Sequence, residues 1–339
     1  MKLNKQVLKD MIAIPSPSGN EYKMGKHIMN YMKNEGIDVS FDSLGSLIHT
    51  INKDEKFKIM MVAHMDEISL MIVGKNSDGT LRVLKNGGVN CNLYINQRVR
   101  VVMDDYSFGY GVVNSSKKDV KDTDICIDMG CKDEKFLDSL IGKYAIVCTE
   151  YQDMTDGYFT GRALDDRLGV YVINQVLLKL KNEKLNKQVI SVNSVGEELT
   201  SRGANVSTNM INPNMAIIVD VTYAEDCDQH ATNCNVALRK GGVICYSQTV
   251  NPKLNKIMIE TCEKHNIPFQ KEAFPGRTYT DGDHIYTKGF GIPMILVSIP
   301  LRYMHSPSEV CHEEDVDNII NMIAEFIKDF DINTNLLPY

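Results

Sequence analysis

Two adjacent glutamates, Glu197 and Glu198, stand directly after an apolar, β-type run at 189–195. A carboxylate pair at a strand end can divide its work, one group binding a cation while the other stays free to take and return a proton. Residues that ligate metals recur in comparable places: His64 follows the run 58–63, Asp220 follows 215–219, and His305 follows a strand ending near Pro300. Functional groups in an open parallel sheet gather at the carboxyl ends of its strands. Four strand ends would thus bring two histidines and three carboxylates to one rim. Asp165 adds another carboxylate at a helix start, where the positive dipole end tolerates negative charge. This set suits a dizinc or dicobalt hydrolytic centre.

Each residue alone also has an ordinary structural explanation. His64-Met-Asp66 can be a strand-end hydrogen-bonded pair, or Asp66 can orient His64 on a metal. Asp165-Asp166-Arg167 can be a solvated helix start, Glu197-Glu198 a first helical turn, and Asp220 the beginning of a turn. His312 rivals His305 as a ligand and equally suits a helix cap. The joint order of these residue types argues for a site.

The elements that must position them follow from periodicity. Residues 1–10 read as an amphipathic helix broken at Pro15-Ser-Pro-Ser-Gly19, and Met24, Ile28, Tyr31 and Met32 mark a second helix ending at Gly36. Short strands around Val39 and Leu47 precede the continuous apolar run to Ala63, which suits a strand covered on both faces. From about Ile68 to Tyr158, short alternating runs separated by Gly and Asp turns predict a small all-β unit. Leu164, Leu168, Val172, Val176 and Leu180 then predict a long amphipathic helix. Strands at 189–195, 215–219 and 293–299 and helices around 254–262 and 316–327 complete a discontinuous α/β unit. The fold class is α/β: a mixed, mostly parallel sheet flanked by helices, with an inserted small all-β domain. The expected boundaries are 1–67 and 159–339 for the catalytic unit and 68–158 for the insertion.

Composition limits the alternatives. The chain has 339 residues, 43% hydrophobic and 24% charged, with a net charge of −7 that opposes nucleic acid or an anionic membrane as a partner. No segment approaches the roughly 20 apolar residues of a membrane span, and the N-terminus lacks the apolar centre of a signal peptide. Nine cysteines without a Cys-x-x-Cys pair argue against a disulfide framework. The expected setting is the cytoplasm and the expected partners are small molecules or peptides.

Several segments together resemble one family. They are His64-Met-Asp66-Glu-Ile, Arg162-Ala-Leu-Asp165-Asp166-Arg167-x-Gly169, Glu197-Glu198-x-x-x-Arg202-Gly203-Ala204, Asp220-Val-Thr and Pro300-Leu-Arg-Tyr-x-His305-Ser-Pro307. Pro17-Ser-Gly19-x-Glu21, Leu44-Gly45-Ser-Leu and Thr280-Asp281 extend the likeness over nearly the whole chain. This order is similar to that of the M42 metalloaminopeptidases, in which a β-rich insertion separates the first two ligands. The resemblance implies Asp165 as a carboxylate bridging two divalent ions, zinc or cobalt. It implies His64 and Asp220 on one ion, Glu198 and His305 on the other, Asp66 supporting His64, and Glu197 as general base. It also implies N-terminal residues of short peptides as substrate, and a homo-oligomer, up to a dodecamer, assembled through a dimerising insertion.

Ser69, Gly196 and Tyr223 depart from the family's usual Gly, Gln and His, and the segment Tyr223-Ala-Glu-Asp-Cys-Asp228 is more acidic than usual. None of these removes a ligand. Two alternatives remain at this stage: a glucanase-like glycoside hydrolase, disfavoured by the absence of Trp and by the two histidines, and a non-catalytic metal-binding scaffold.

Overall fold

The run ending at His64 is apolar at alternate and intervening positions alike, so it needs cover on both sides. The computed structural model provides it, describing residues 2–337 other than 106, 116, 118, 119, 122 and 225–234. The acidic segment from Glu225 to Asp228 lies outside these described residues. Strands β1 (Val39–Phe41), β2 (Leu47–Ile51) and β3 (Lys58–His64) open the chain's main sheet. Next come β4 (Ser69–Lys75), β5 (Leu81–Asn86), β6 (Arg98–Val102), β7 (Phe108–Asn114), β8 (Cys126–Asp128) and β9 (Tyr144–Val147). Two short strands, β10 (Gln152–Asp153) and β11 (Tyr158–Gly161), precede β12 (Gln188–Ser194), β13 (Met215–Tyr223), β14 (Gly242–Tyr246), β15 (Phe269–Ala273), β16 (Met294–Leu301) and β17 (Glu309–His312).

The main sheet has the order β1-β2-β12-β3-β13-β16-β14-β15. Its centre, β12-β3-β13-β16, is parallel throughout, and β2 and β14 join it antiparallel. Alternation along β3 feeds two cores. Ile59 and Met61 pack with the helices Lys5–Ala13, Leu164–Leu180 and Glu313–Asp329, whereas Met60 and Val62 pack with Ala204 and Ile211 on the opposite face. β13 divides the same way, with Ile217 and Val219 on one side and Ala216 and Ile218 on the other. The helix Leu164–Leu180 departs from the amphipathic expectation. It is buried almost all round because it lies between the sheet and the helices Lys5–Ala13 and Glu313–Asp329.

Between β3 and the long helix, β4-β5-β8-β7-β6-β9 close into an antiparallel barrel with its own apolar core of Leu70, Ile72, Val83, Val99, Val101 and Ile127 among others. Closure removes the exposed edges of so short a sheet. The segment expected to be all-β also carries two short helices, Cys91–Tyr94 and Glu134–Ser139. A third sheet, β10-β11-β17, lies beside the helix start at Leu164.

Candidate active site

His64 is the last residue of β3, and Glu197 and Glu198 open a single helical turn just after β12. Gly196, at φ +70°, turns the chain between strand and helix; a Cβ there would lie 2.6 Å from the Arg202 guanidinium carbon. Asp220 does not begin a turn. β13 continues to Tyr223, so Asp220 is an interior strand residue, held by eight parallel pairings with β16. The apolar count stops at Val219, but ladder pairing is indifferent to side-chain polarity, and the strand runs on. His305 lies in the turn beyond β16, in the left-handed region at φ +61°.

These elements bring all the expected residues together. The His64 Nε2 atom is 3.1 Å from Asp165 Oδ1, and His305 Nε2 is 3.0 Å from Asp165 Oδ2, so the two oxygens of one carboxylate each face a different imidazole. Glu198 Oε2 stands 3.6 Å from His305 Nε2 and Glu197 Oε2 stands 3.8 Å from His64 Nε2. His312 does not join them. It caps the helix Glu313–Asp329, its Nδ1 accepting from the Glu314 amide, and its other ring nitrogen contacts the Asp156 carbonyl.

A fully buried frame fixes this cluster. Asp66 contacts His64 Nδ1 through its backbone carbonyl at 3.2 Å and through Oδ1 at 3.5 Å. Its carboxylate also accepts from the amides of Glu197 and Glu198, at 3.0 and 3.2 Å. It therefore orients the glutamate pair as well as the histidine. Three carboxylates have supporting roles that the sequence did not show, Asp166 among them, which is buried rather than part of a solvated helix start. Asp166 accepts from the His64 amide and from Gly169 N. Glu67 pairs with Arg162 and Arg167 beneath the site. Glu309, 2% exposed, accepts from the amides of Leu164 (2.7 Å), Asp165 (3.2 Å) and His305 (2.9 Å). Their partners are mostly backbone amides brought close only by folding. The sole local signal is a charged residue where a strand is otherwise apolar, as at Glu309 ahead of Val310-Cys311.

Electrostatics follow from burying many carboxylates together. Burial opposes the Asp165 charge, but hydrogen bonds from His305 and His64 outweigh it and hold the carboxyl below its usual range. Burial likewise disfavours the cation of His305, yet Asp165 raises it to about 10; His64 is also raised, by Asp165 and Asp66 against its own burial. Burial lifts Glu198 to about 7 and lifts Glu197 and Asp220 well above ordinary carboxyls. So many buried acids on two imidazoles call for further positive charge.

A divalent cation fits that need. One donor atom from each of His64, Asp165 and Glu198 lies within 4.8 Å of the others, and the same holds for His64, Asp166 and Asp220. Glu198 Oε1 is buried without a hydrogen-bond partner, an acceptor ready for a ligand bond. Mixed imidazole and carboxylate donors suit zinc and its first-row neighbours. The cluster forms one end of a cleft of about 460 Å³ whose other walls include Thr222, Glu272, Phe274, Arg277, Thr280 and Ser298.

Comparison with known proteins identifies the family. Residues 45–322 match the family model described as M42 glutamyl aminopeptidase. A lysyl aminopeptidase of Pyrococcus furiosus is 29% identical over 96% of each chain. Among solved structures, an aminopeptidase of the archaeon Desulfurococcus kamchatkensis superposes with a TM-score of 0.88 at 29% identity, over 96% of this chain and 94% of that one. A Pyrococcus horikoshii TET1 peptidase, which can assemble into a tetrahedron or a large octahedral shell, superposes with a TM-score of 0.86 at 26% identity, over 96% and 99%. The chain belongs to the M42 family of peptidases. It is a metal-dependent aminopeptidase, and this replaces the glucanase and scaffold alternatives.

Proposed function

We propose that the site holds two divalent ions, zinc or cobalt, with Asp165 bridging them. His64 and Asp220 complete one ion and Glu198 and His305 the other. The observation that carries this reading is the division of Asp165, one oxygen toward each histidine. When bound, such a pair of ions polarises a scissile carbonyl and acidifies a water. Glu197 is the general base. Its amide is fixed by Asp66, its carboxylate faces the cleft beside His64, and burial raises its proton affinity, which suits a group that takes a proton and returns it to a leaving amine. Asp66 supports His64 and, through two amide contacts, both glutamates. Short peptides with a free amino terminus are the substrates.

The test is Glu197→Gln. The variant should keep its metal and lose about 10²–10⁴-fold in kcat, the range that general-base catalysis contributes. Undiminished turnover would remove Glu197 from the mechanism.

We further propose that residues 68–158 form an inserted domain, that 1–67 and 159–339 form the catalytic unit, and that the insertion makes dimer contacts within a homo-oligomer, up to a dodecamer. Supporting this, the barrel carries exposed apolar side chains on its outer face, Val73, Leu84, Tyr110 and Val112. A TET relative forms closed shells. No helix among the described residues is long and apolar enough to cross a membrane. We place the enzyme in the cytoplasm; supporting this, Cys126, Cys131, Cys148, Cys245, Cys262 and Cys311 carry thiols outside any disulfide.

A further inference from the structure

Glu272 is a buried carboxylate, 5% exposed, that lines the cleft yet takes no part in the proposed chemistry. It projects from β15 across the sheet, and each of its oxygens accepts one hydrogen bond from a hydroxyl: Thr222 Oγ1 at 2.6 Å and Ser298 Oγ at 2.7 Å. No lysine, arginine or histidine pairs with it among the described residues, and burial raises its proton affinity. A buried carboxylate with two neutral donors and no cation is costly, and an incoming cation would offset that cost.

Its position relative to the reacting end of the cleft identifies that partner. Asp220 and Thr222 are two residues apart on β13, so their side chains leave the same face of the sheet, about 7 Å apart. Ser298 sits on β16 directly beside Asp220. The floor of the cleft therefore runs from Asp220 at the metal-ligating end, over Thr222 and Ser298, to the Glu272 carboxylate. A substrate whose carbonyl lies at the ligand cluster would extend its first side chain along that floor. A four-carbon stem ending in an ammonium crosses the hydroxyls and meets the carboxylate.

We propose that Glu272 selects substrates with a cationic N-terminal side chain, lysine first and arginine second; this rests on the aminopeptidase reading of the same site. Arg277 also lines the cleft, but it is exposed and does not pair with Glu272. The buried floor rather than the exposed wall therefore sets the preference. An acidic preference would instead point to Arg277.

The experiment compares kcat/KM for Lys-, Arg-, Leu- and Glu-p-nitroanilide with the metal-loaded wild type and Glu272→Gln. The wild type should favour Lys over Leu, and the Lys-to-Leu ratio should fall by about 10²-fold in the variant, as expected when one partner of a buried charge pair is removed. A wild type that prefers Leu or Glu, or a variant that keeps the Lys preference, would overturn the assignment. A measurement on the wild type alone guards against a variant that misfolds. Free lysine should inhibit at a concentration about tenfold or more below that of norleucine, which has the same chain without the ammonium. Equal inhibition by the two would overturn the proposal as well. Hydrolysis of none of the four anilides would contradict the aminopeptidase reading itself, whereas equal hydrolysis of Lys and Leu contradicts only the role of Glu272.

Discussion

In the proposed centre each oxygen of Asp165 needs an imidazole beside it, and Glu309 joins the segments that carry Asp165 and His305. One Glu309 oxygen accepts from the Leu164 and Asp165 amides and the other from the His305 amide, so a single carboxylate ties together two segments that each carry a proposed ligand. Glu309→Gln would turn one acceptor oxygen into a donor facing an amide N–H. The variant should fold and should bind Zn²⁺ about 10–100-fold more weakly in a chelator competition, the usual loss when a group supporting a ligand is removed. Unchanged affinity would mean that the turn holds His305 without Glu309. At this scale the proposed ligands were legible in the sequence because their residue types are those of a metal centre and His64, Asp165 and Glu198 stand where a strand ends or a helix begins; Asp220 lies inside β13 and was legible only because the apolar run stops before it. Glu309 was not legible, because what it binds is backbone from distant parts of the chain, and for Asp166 the contact to the His64 amide was hidden for the same reason.

At the scale of elements, the barrel reaches into the site. The turn after β5 sets Gly88 against His305 so closely that a Cβ would lie 2.4 Å from its Nδ1. Gly88→Ala should displace the imidazole and lower kcat/KM by about 10²-fold, the loss that accompanies a misplacement of about 1 Å. Wild-type kinetics would show that His305 can move without consequence. Elsewhere, β2 places His49 wholly within the sheet, its Nδ1 3.2 Å from Asn193 Nδ2. Burial lowers its pKa from 6.5 to about 4. Above pH 6.5 the imidazole is neutral both folded and unfolded. As the pH falls toward 4 only the unfolded chain takes the proton, so stability drops by roughly 3 kcal/mol over that window. Denaturant midpoints between pH 7 and 4 should fall less steeply in His49→Gln than in the wild type; parallel slopes would contradict the assignment. The strands were readable because alternation along β3 and β13 must satisfy two cores. The buried environment of the helix Leu164–Leu180 was not, since its second layer comes from helices far away in sequence.

For the whole molecule, the proposed ions would help hold the carboxylate-rich rim together. Glu197, Glu198, Asp165, Asp166 and Asp220 crowd one end of the sheet, and removing a cation leaves their repulsion uncompensated. A metal present at a hundred times its dissociation constant adds about 2.7 kcal/mol of stability. Chelation should therefore lower the melting temperature by several degrees, reversibly on adding Zn²⁺; an identical melting temperature would argue against an occupied site. The proposed oligomer is a property of this scale as well. Light scattering should give a mass several times that of the 38.2 kDa chain, and a monomer would contradict it. The order of elements was legible along the chain, but closure of the barrel was not, because the pairing of β9 with β4 joins residues far apart in sequence.

The central claim is a two-ion centre bridged by Asp165, and a metal titration tests it most directly. Metal-stripped protein would be titrated with Co²⁺ while following both bound ion and hydrolysis of a free-amine aminoacyl anilide, with the N-acetylated anilide as control. The account predicts no activity before metal, full activity at two ions per chain, and no cleavage of the acetylated substrate. Full activity at one ion, or activity that survives stripping, would contradict it.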